Sequence, residues 1–76
     1  MLTTNLKKIR KLRKKSKFGW YTISPDGKTV VYSDSDDELE TYLKALIGQW
    51  SLETADEWAK WVIFEFDEQG ESSYHY

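Results

Sequence analysis

The chain contains no cysteine, one histidine, one proline and four glycines among its 76 residues. Without thiols it forms no disulfides, and zinc or iron–sulfur sites built on thiolates are excluded. A lone His75 leaves almost no raw material for a multi-histidine metal site or a histidine-centred triad. The glycines stand apart at 19, 27, 48 and 70, so there is no glycine-rich phosphate loop. The longest unbroken apolar run is Trp61-Val62-Ile63-Phe64, far short of the roughly 20 residues that cross a membrane as a helix. No apolar stretch follows the charged N-terminus, as a secretory signal would require. The length allows one small domain, and a chain this short buries only about 60% of its extended surface. Stability must then come from packing, and the aromatic residues, 16% of the chain, are the supply.

The net charge of −2 conceals two opposite halves. Residues 1–17 carry Lys7, Lys8, Arg10, Lys11, Arg13, Lys14, Lys15 and Lys17 and no acid. Residues 18–76 carry all thirteen acids against Lys28, Lys44 and Lys60, so a +8 opening precedes a −10 body. This divides the chain into a basic amphipathic helix or arm (1–17) and an acidic α+β body (18–76). A cationic arm of this kind contacts nucleic acid or an anionic surface. It can equally fold back on its own acids, which lie within a Debye length of about 8 Å in a small domain.

Leu2, Leu6, Ile9 and Leu12 recur at helical spacing behind a cap at Thr4 or Asn5, which predicts a thin apolar stripe on a basic helix that Gly19 ends. Phe18–Ser24 and Lys28–Ser33 read as strands joined by Pro25-Asp26-Gly27. If Ser24 pairs with Lys28, Phe18, Trp20, Val30 and Tyr32 share one face, and Tyr21, Ile23 and Val31 the other. Ser35-Asp36-Asp37-Glu38 is a capping box, and Leu39, Tyr42, Leu43, Leu46 and Ile47 mark the stripe of a helix over 36–47 that Gly48 stops. Thr54-Ala55-Asp56-Glu57 repeats the box before a short helix running to about residue 60. From Trp61 the period changes from 3.6 to 2. If Asp67 pairs with Glu71 across Glu68-Gln69-Gly70, Val62, Phe64, Phe66, Tyr74 and Tyr76 share one face, while Ile63, Glu65, Ser73 and His75 lie outside. The expected fold is α+β: two β-hairpins forming a four-stranded antiparallel sheet packed on a central helix, with the basic N-terminal helix beside it.

No nucleophile, base and orienting group can be assembled, so an enzyme is not expected, nor a small-molecule substrate or cofactor. The acids from Asp34 to Glu40 lack the spacing and glycine of a calcium loop, and helix capping accounts for most of them. Trp20 and Trp50 are expected in the core. Trp58 and Trp61, three apart at a helix end, are expected on a protein-binding surface.

Two readings of function follow. In the first, a small non-enzymatic protein engages nucleic acid, or a nucleoprotein complex, through the eight cations of residues 7–17. In the second, Asp36, Asp37 and Glu40 of the acidic body, with Trp58 and Trp61, block the basic groove of a nucleic-acid-binding protein. Small phage inhibitors, anti-CRISPR proteins among them, share that general character. A third treats residues 1–17 as a membrane-surface or targeting segment. The expected location is the cytoplasm, that of a host cell if the protein is viral. The run GWYTISPDGKTVVYS followed by DDELETYLKAL resembles the strand–turn–strand–helix of arm-type DNA-binding domains in phage tyrosine recombinases. It covers about half the chain. The basic strand surface of that family is missing, with Lys28 the sole cation between residues 18 and 43.

Overall fold

Ser35 accepts a hydrogen bond from the Glu38 amide and opens helix α2 (Asp36–Ile47), whose first turn holds Asp36, Asp37 and Glu38 against the positive helix end. Gly48 closes it at φ 101°, a conformation that side chains rarely adopt. In the computed structural model, which describes residues 1–76, this helix lies on one face of a five-stranded antiparallel sheet. The strands are β1 (Leu2–Thr3), β2 (Gly19–Ile23), β3 (Val30–Ser33), β4 (Ile63–Asp67) and β5 (Gly70–Tyr74), in the order β1-β3-β2-β4-β5. Helix α1 (Leu6–Lys15) occupies the other face and helix α3 (Ala55–Ala59) joins α2. The fold is α+β, as expected from the sequence.

The sheet differs from expectation in three respects. The fifth strand, β1, comes from residues assigned to the basic helix: Leu2 pairs with Ser33 and Thr3 with Tyr32. Only two residues long, it carries no periodicity that could announce it. Leu2 therefore packs with the α2 core instead of extending the α1 stripe. Gly19 does not end α1, which stops at Lys15 with Ser16 as its cap. It lies inside β2, where a Cβ would come within 2.7 Å of the Phe66 ring and 2.8 Å of the Tyr32 ring.

Both hairpins are also one residue out of the expected register. In the first, Ile23 pairs with Val30 and Tyr21 with Tyr32, and the Ser24 amide donates to the Thr29 carbonyl. The turn therefore includes Lys28. Asp26 fixes it by accepting from the Lys28 amide, and Ser24 Oγ by accepting from the Thr29 amide. In the second, Asp67 pairs with Gly70 across two residues, and Asp67 Oδ1 accepts from the amides of Gln69 and Gly70. A one-residue slip exchanges the faces of a strand. Thus Val31 and Ile63 are fully buried toward α2, while Tyr21, Val30, Tyr32, Phe64 and Phe66 face α1.

Two cores result, one on each face. Val31, Leu39, Leu43, Trp58 and Ile63 form the larger, with Trp20, Tyr74 and Tyr76 packed at its margin. Its buried hydroxyls are satisfied: Thr22 Oγ1 donates to the Val62 carbonyl at 2.8 Å, and Ser33 Oγ accepts from the Ser35 amide at 3.0 Å. Ile9, Tyr32 and Phe66 form the smaller, beneath α1. Thr54 does not cap α3 as the repeated box predicted. Its hydroxyl donates instead to the Gln49 carbonyl at 2.7 Å and accepts from the Ser51 amide, which closes the preceding loop.

Candidate nucleic-acid interface

Asn5 caps α1 by accepting from the Lys8 amide, and the helix then runs through seven cations, three of them in its last turn where the negative end favours them. Ile9 is buried on Tyr32 and Phe66, and Leu12 is half-buried beside it, which fixes the rotation of the helix on the sheet. At 100° per residue, Lys7, Lys11 and Lys14 then stand on the opposite, solvent side, at spacings of four and three. Lys8, Arg10 and Lys15 flank that row, and all six are exposed. Lys7 to Lys14 spans about 10 Å at ~1.5 Å per residue; a DNA duplex presents about six phosphate charges over that length.

Internal ion pairs reach only two of the eight cations. Arg13 meets Glu71 of β5 at 2.7 Å, and Lys17 lies 3.7 Å from Glu68 in the β4–β5 turn. The Arg13 guanidinium also sits 5.1 Å from the centroid of the Tyr21 ring, and the Tyr21 hydroxyl donates to the same Glu71 oxygen at 2.7 Å. Burial, and then that hydrogen bond, push the Tyr21 phenol up to about 12. Arg13 is thereby a fastening between α1 and the sheet. Lys7, Lys8, Arg10, Lys11, Lys14 and Lys15 have no carboxylate partner.

The acids behave differently. Around the start of α2, the Met1 amino group contacts Asp34 and Glu38, Asp36 Oδ1 accepts from the hydroxyls of Tyr74 and Tyr76, and Glu40 faces Lys44 at 3.7 Å. The amine holds the Asp34 carboxyl below the usual carboxylate range. Of the three acids assigned to a partner surface, Asp36, Asp37 and Glu40, only the Asp37 side chain has no internal partner. Burial, and then the bond to Asp36, raise the Tyr74 and Tyr76 phenols well above their ordinary value.

Trp58 requires a correction. It is 2% exposed at the centre of the larger core and donates from Nε1 to the Gly48 carbonyl, so it cannot meet a partner. Trp61 is half-buried against the same core. Helices cover both faces of the sheet, so Ile63, expected on a solvated outer face, is buried against α2, and the tryptophans of the α3 end close over it. The exposed large apolar residues are instead Met1, Leu6, Phe18, Ile23, Leu46, Trp50 and Leu52, the last 91% exposed. Trp50, expected in the core, is thus on the surface, and no sequence signal distinguishes the others from core residues.

An open groove of about 250 Å³ lies between α1 and the sheet, lined by Leu6, Ile9, Tyr21, Ile23, Val30 and Tyr32 with Arg10 and Arg13. No helix is long and apolar enough to cross a membrane, and no group of three or more acidic or histidine side chains is placed to hold a metal ion. No family model matches the chain, and no curated protein and no solved structure matches it.

Proposed function

We propose that the protein is a non-enzymatic nucleic-acid-binding module whose contact surface is the solvent side of α1, centred on Lys7, Lys11 and Lys14 with Lys8, Arg10 and Lys15 beside them. The observation that carries this reading is the imbalance of internal pairing: six cations on one helix are unpartnered, whereas most acids near α2 are engaged. Unpartnered cations held in a row release counterions when they meet phosphates. The acidic α2 lies across the sheet from α1, so its carboxylates stand away from phosphates on the solvent side of α1. The acidic β4–β5 turn borders only the C-terminal end of α1, so Lys7, Lys8, Arg10 and Lys11 lie clear of it. Lysine-rich contacts of this kind position a backbone without reading bases.

The acidic-groove-blocker reading is weaker, because its carboxylates are largely committed internally and Trp58 is buried. The membrane-surface reading is weaker too, because α1 already spends Ile9 and Leu12 on the sheet and has no free apolar face to insert.

The test is fluorescence anisotropy of the full chain with duplex DNA and with RNA across salt. Binding should weaken with a log–log slope of about −3 to −4, near 0.9 per phosphate neutralised. Replacing Lys7, Lys11 and Lys14 together with Gln should flatten that slope by roughly 2 to 3 while leaving the circular dichroism spectrum unchanged. Failure to bind at low salt, or binding indifferent to the triple substitution, overturns the reading. Deleting residues 1–17 is not a clean control, since it removes β1 and α1 from the fold.

A further inference from the structure

The two edges of the sheet are unequal. At one, β1 offers only two residues. At the other, β5 is a full five-residue strand, Gly70–Tyr74, with four of its residues exposed and nothing packed along its outer side. Natural edge strands of that length are blunted by lysine, proline, a bulge or a covering loop. β5 has none of these: its side chains are Glu71, Ser72, Ser73 and Tyr74, and its single charge, Glu71, gives Oε1 to Arg13 and Tyr21 while its Oε2 has no partner within the chain.

The register states which backbone groups are free. Hydrogen-bonded and non-hydrogen-bonded pairs alternate along an antiparallel ladder, and the two-residue loop makes Asp67–Gly70 a hydrogen-bonded pair. Glu65–Ser72 and Ile63–Tyr74 follow as hydrogen-bonded pairs, so Glu71 and Ser73 aim their N–H and C=O groups away from β4.

We propose that β5 pairs antiparallel with β5 of a second copy of this chain, centred on Ser73. A two-fold axis normal to the sheet keeps each face on its own side, so the opposed residues must share a face and the centre must fall on a residue. Centring on Glu71 sets like charges against each other and is disfavoured. Centring on Ser73 sets Ser73 against itself and Glu71 against His75 of the second copy, twice. His75 is exposed and directly follows the strand, so pairing extends β5 by one residue. The sequence of the edge is thus complementary to its own reverse, which selects another copy over an arbitrary extended peptide. The product is a ten-stranded sheet with both α1 helices on one face, their β2 strands about 24 Å apart at five spacings of ~4.8 Å. The proposal stands without the nucleic-acid reading, because its readout is mass.

Sedimentation velocity across a concentration series tests it, with no nucleic acid present. The chain should shift from monomer to dimer as concentration rises. Ser73→Pro removes an outward N–H that β4 does not use and should give a monomer with an unaltered circular dichroism spectrum. His75→Glu leaves the backbone intact, faces Glu71 with a like charge twice, and should weaken the dimer on the order of tenfold. A chain that stays monomeric up to millimolar concentration overturns the proposal. So does a dimer that survives in a folded Ser73→Pro variant. Should Ser73→Pro fail to fold, His75→Glu decides: an unchanged dissociation constant overturns the proposal, and a weakened one upholds it.

Discussion

The two faces of the sheet are built to different standards. On the α2 side, five side chains are buried together, every buried hydroxyl has a partner, and two tyrosines reach back to a carboxylate at the helix start. On the α1 side, three buried residues support a helix that leaves an open apolar groove beside it, and a single arginine ties it to β5. The first face uses its charges on itself. The second leaves most of them facing water, where an exposed pair such as Arg13–Glu71 adds only about 0–1 kcal/mol. The lesson is a division of labour: stability resides mainly in one layer, which permits the other to carry charge that does nothing for the fold.

Substitutions in the two layers sharpen that contrast. Leu43→Ala empties the centre of the larger core and should cost about 3–5 kcal/mol. Ile9→Ala, beside a groove that can relax, should cost about 2 kcal/mol. Urea denaturation measures both, and equal costs would break the comparison. Gly19→Ala comes next. Its methyl would press on the Phe66 and Tyr32 rings from within the smaller core, at an expected cost of about 1–3 kcal/mol. A neutral result would show that the α1 layer gives way freely.

The smallest effect is an alkaline one. The phenols of Tyr21, Tyr74 and Tyr76 are raised in the folded chain above the ordinary value of 10. Below pH 10 both states hold these protons and the folded form keeps its advantage. As pH climbs past 10 the unfolded chain ionises first, so stability falls. The denaturation midpoint should therefore decline above pH 10. Tyr76→Phe should reduce that decline more than Tyr21→Phe, since the former lies in the better-packed layer. The reverse order would place the tighter environment beneath α1.

Much of this architecture was legible. The capping box at Ser35 and the stripe from Leu39 to Ile47 gave α2 with its observed ends, and the change of period at Trp61 separated α3 from β4. The strand register was not. Both faces of the first hairpin are apolar, so hydrophobic pattern could not choose between registers. The choice fell to side chains in the turns, Asp26 and Ser24 in one and Asp67 in the other, whose bonds to nearby amides set the loop length. Ile63 was misplaced for a different reason: the second hairpin reads as one-sided, whereas helices cover both faces of the sheet. β1 was invisible because two residues have no period. The cations of the candidate interface were plain in the composition, but which of them are engaged was not, because Glu71 and Glu68 lie more than fifty residues from Arg13 and Lys17.

The route of the chain around α1 has one more consequence. The helix is anchored before its first turn by Leu2 and Thr3 on β3, and after its last by Gly19 in β2. It cannot swing out like a tail. Under the proposed function, a polyanion would meet a surface already ordered by the sheet rather than a segment that must first be ordered, so recognition would forfeit little entropy and its speed would be set by long-range attraction between charges.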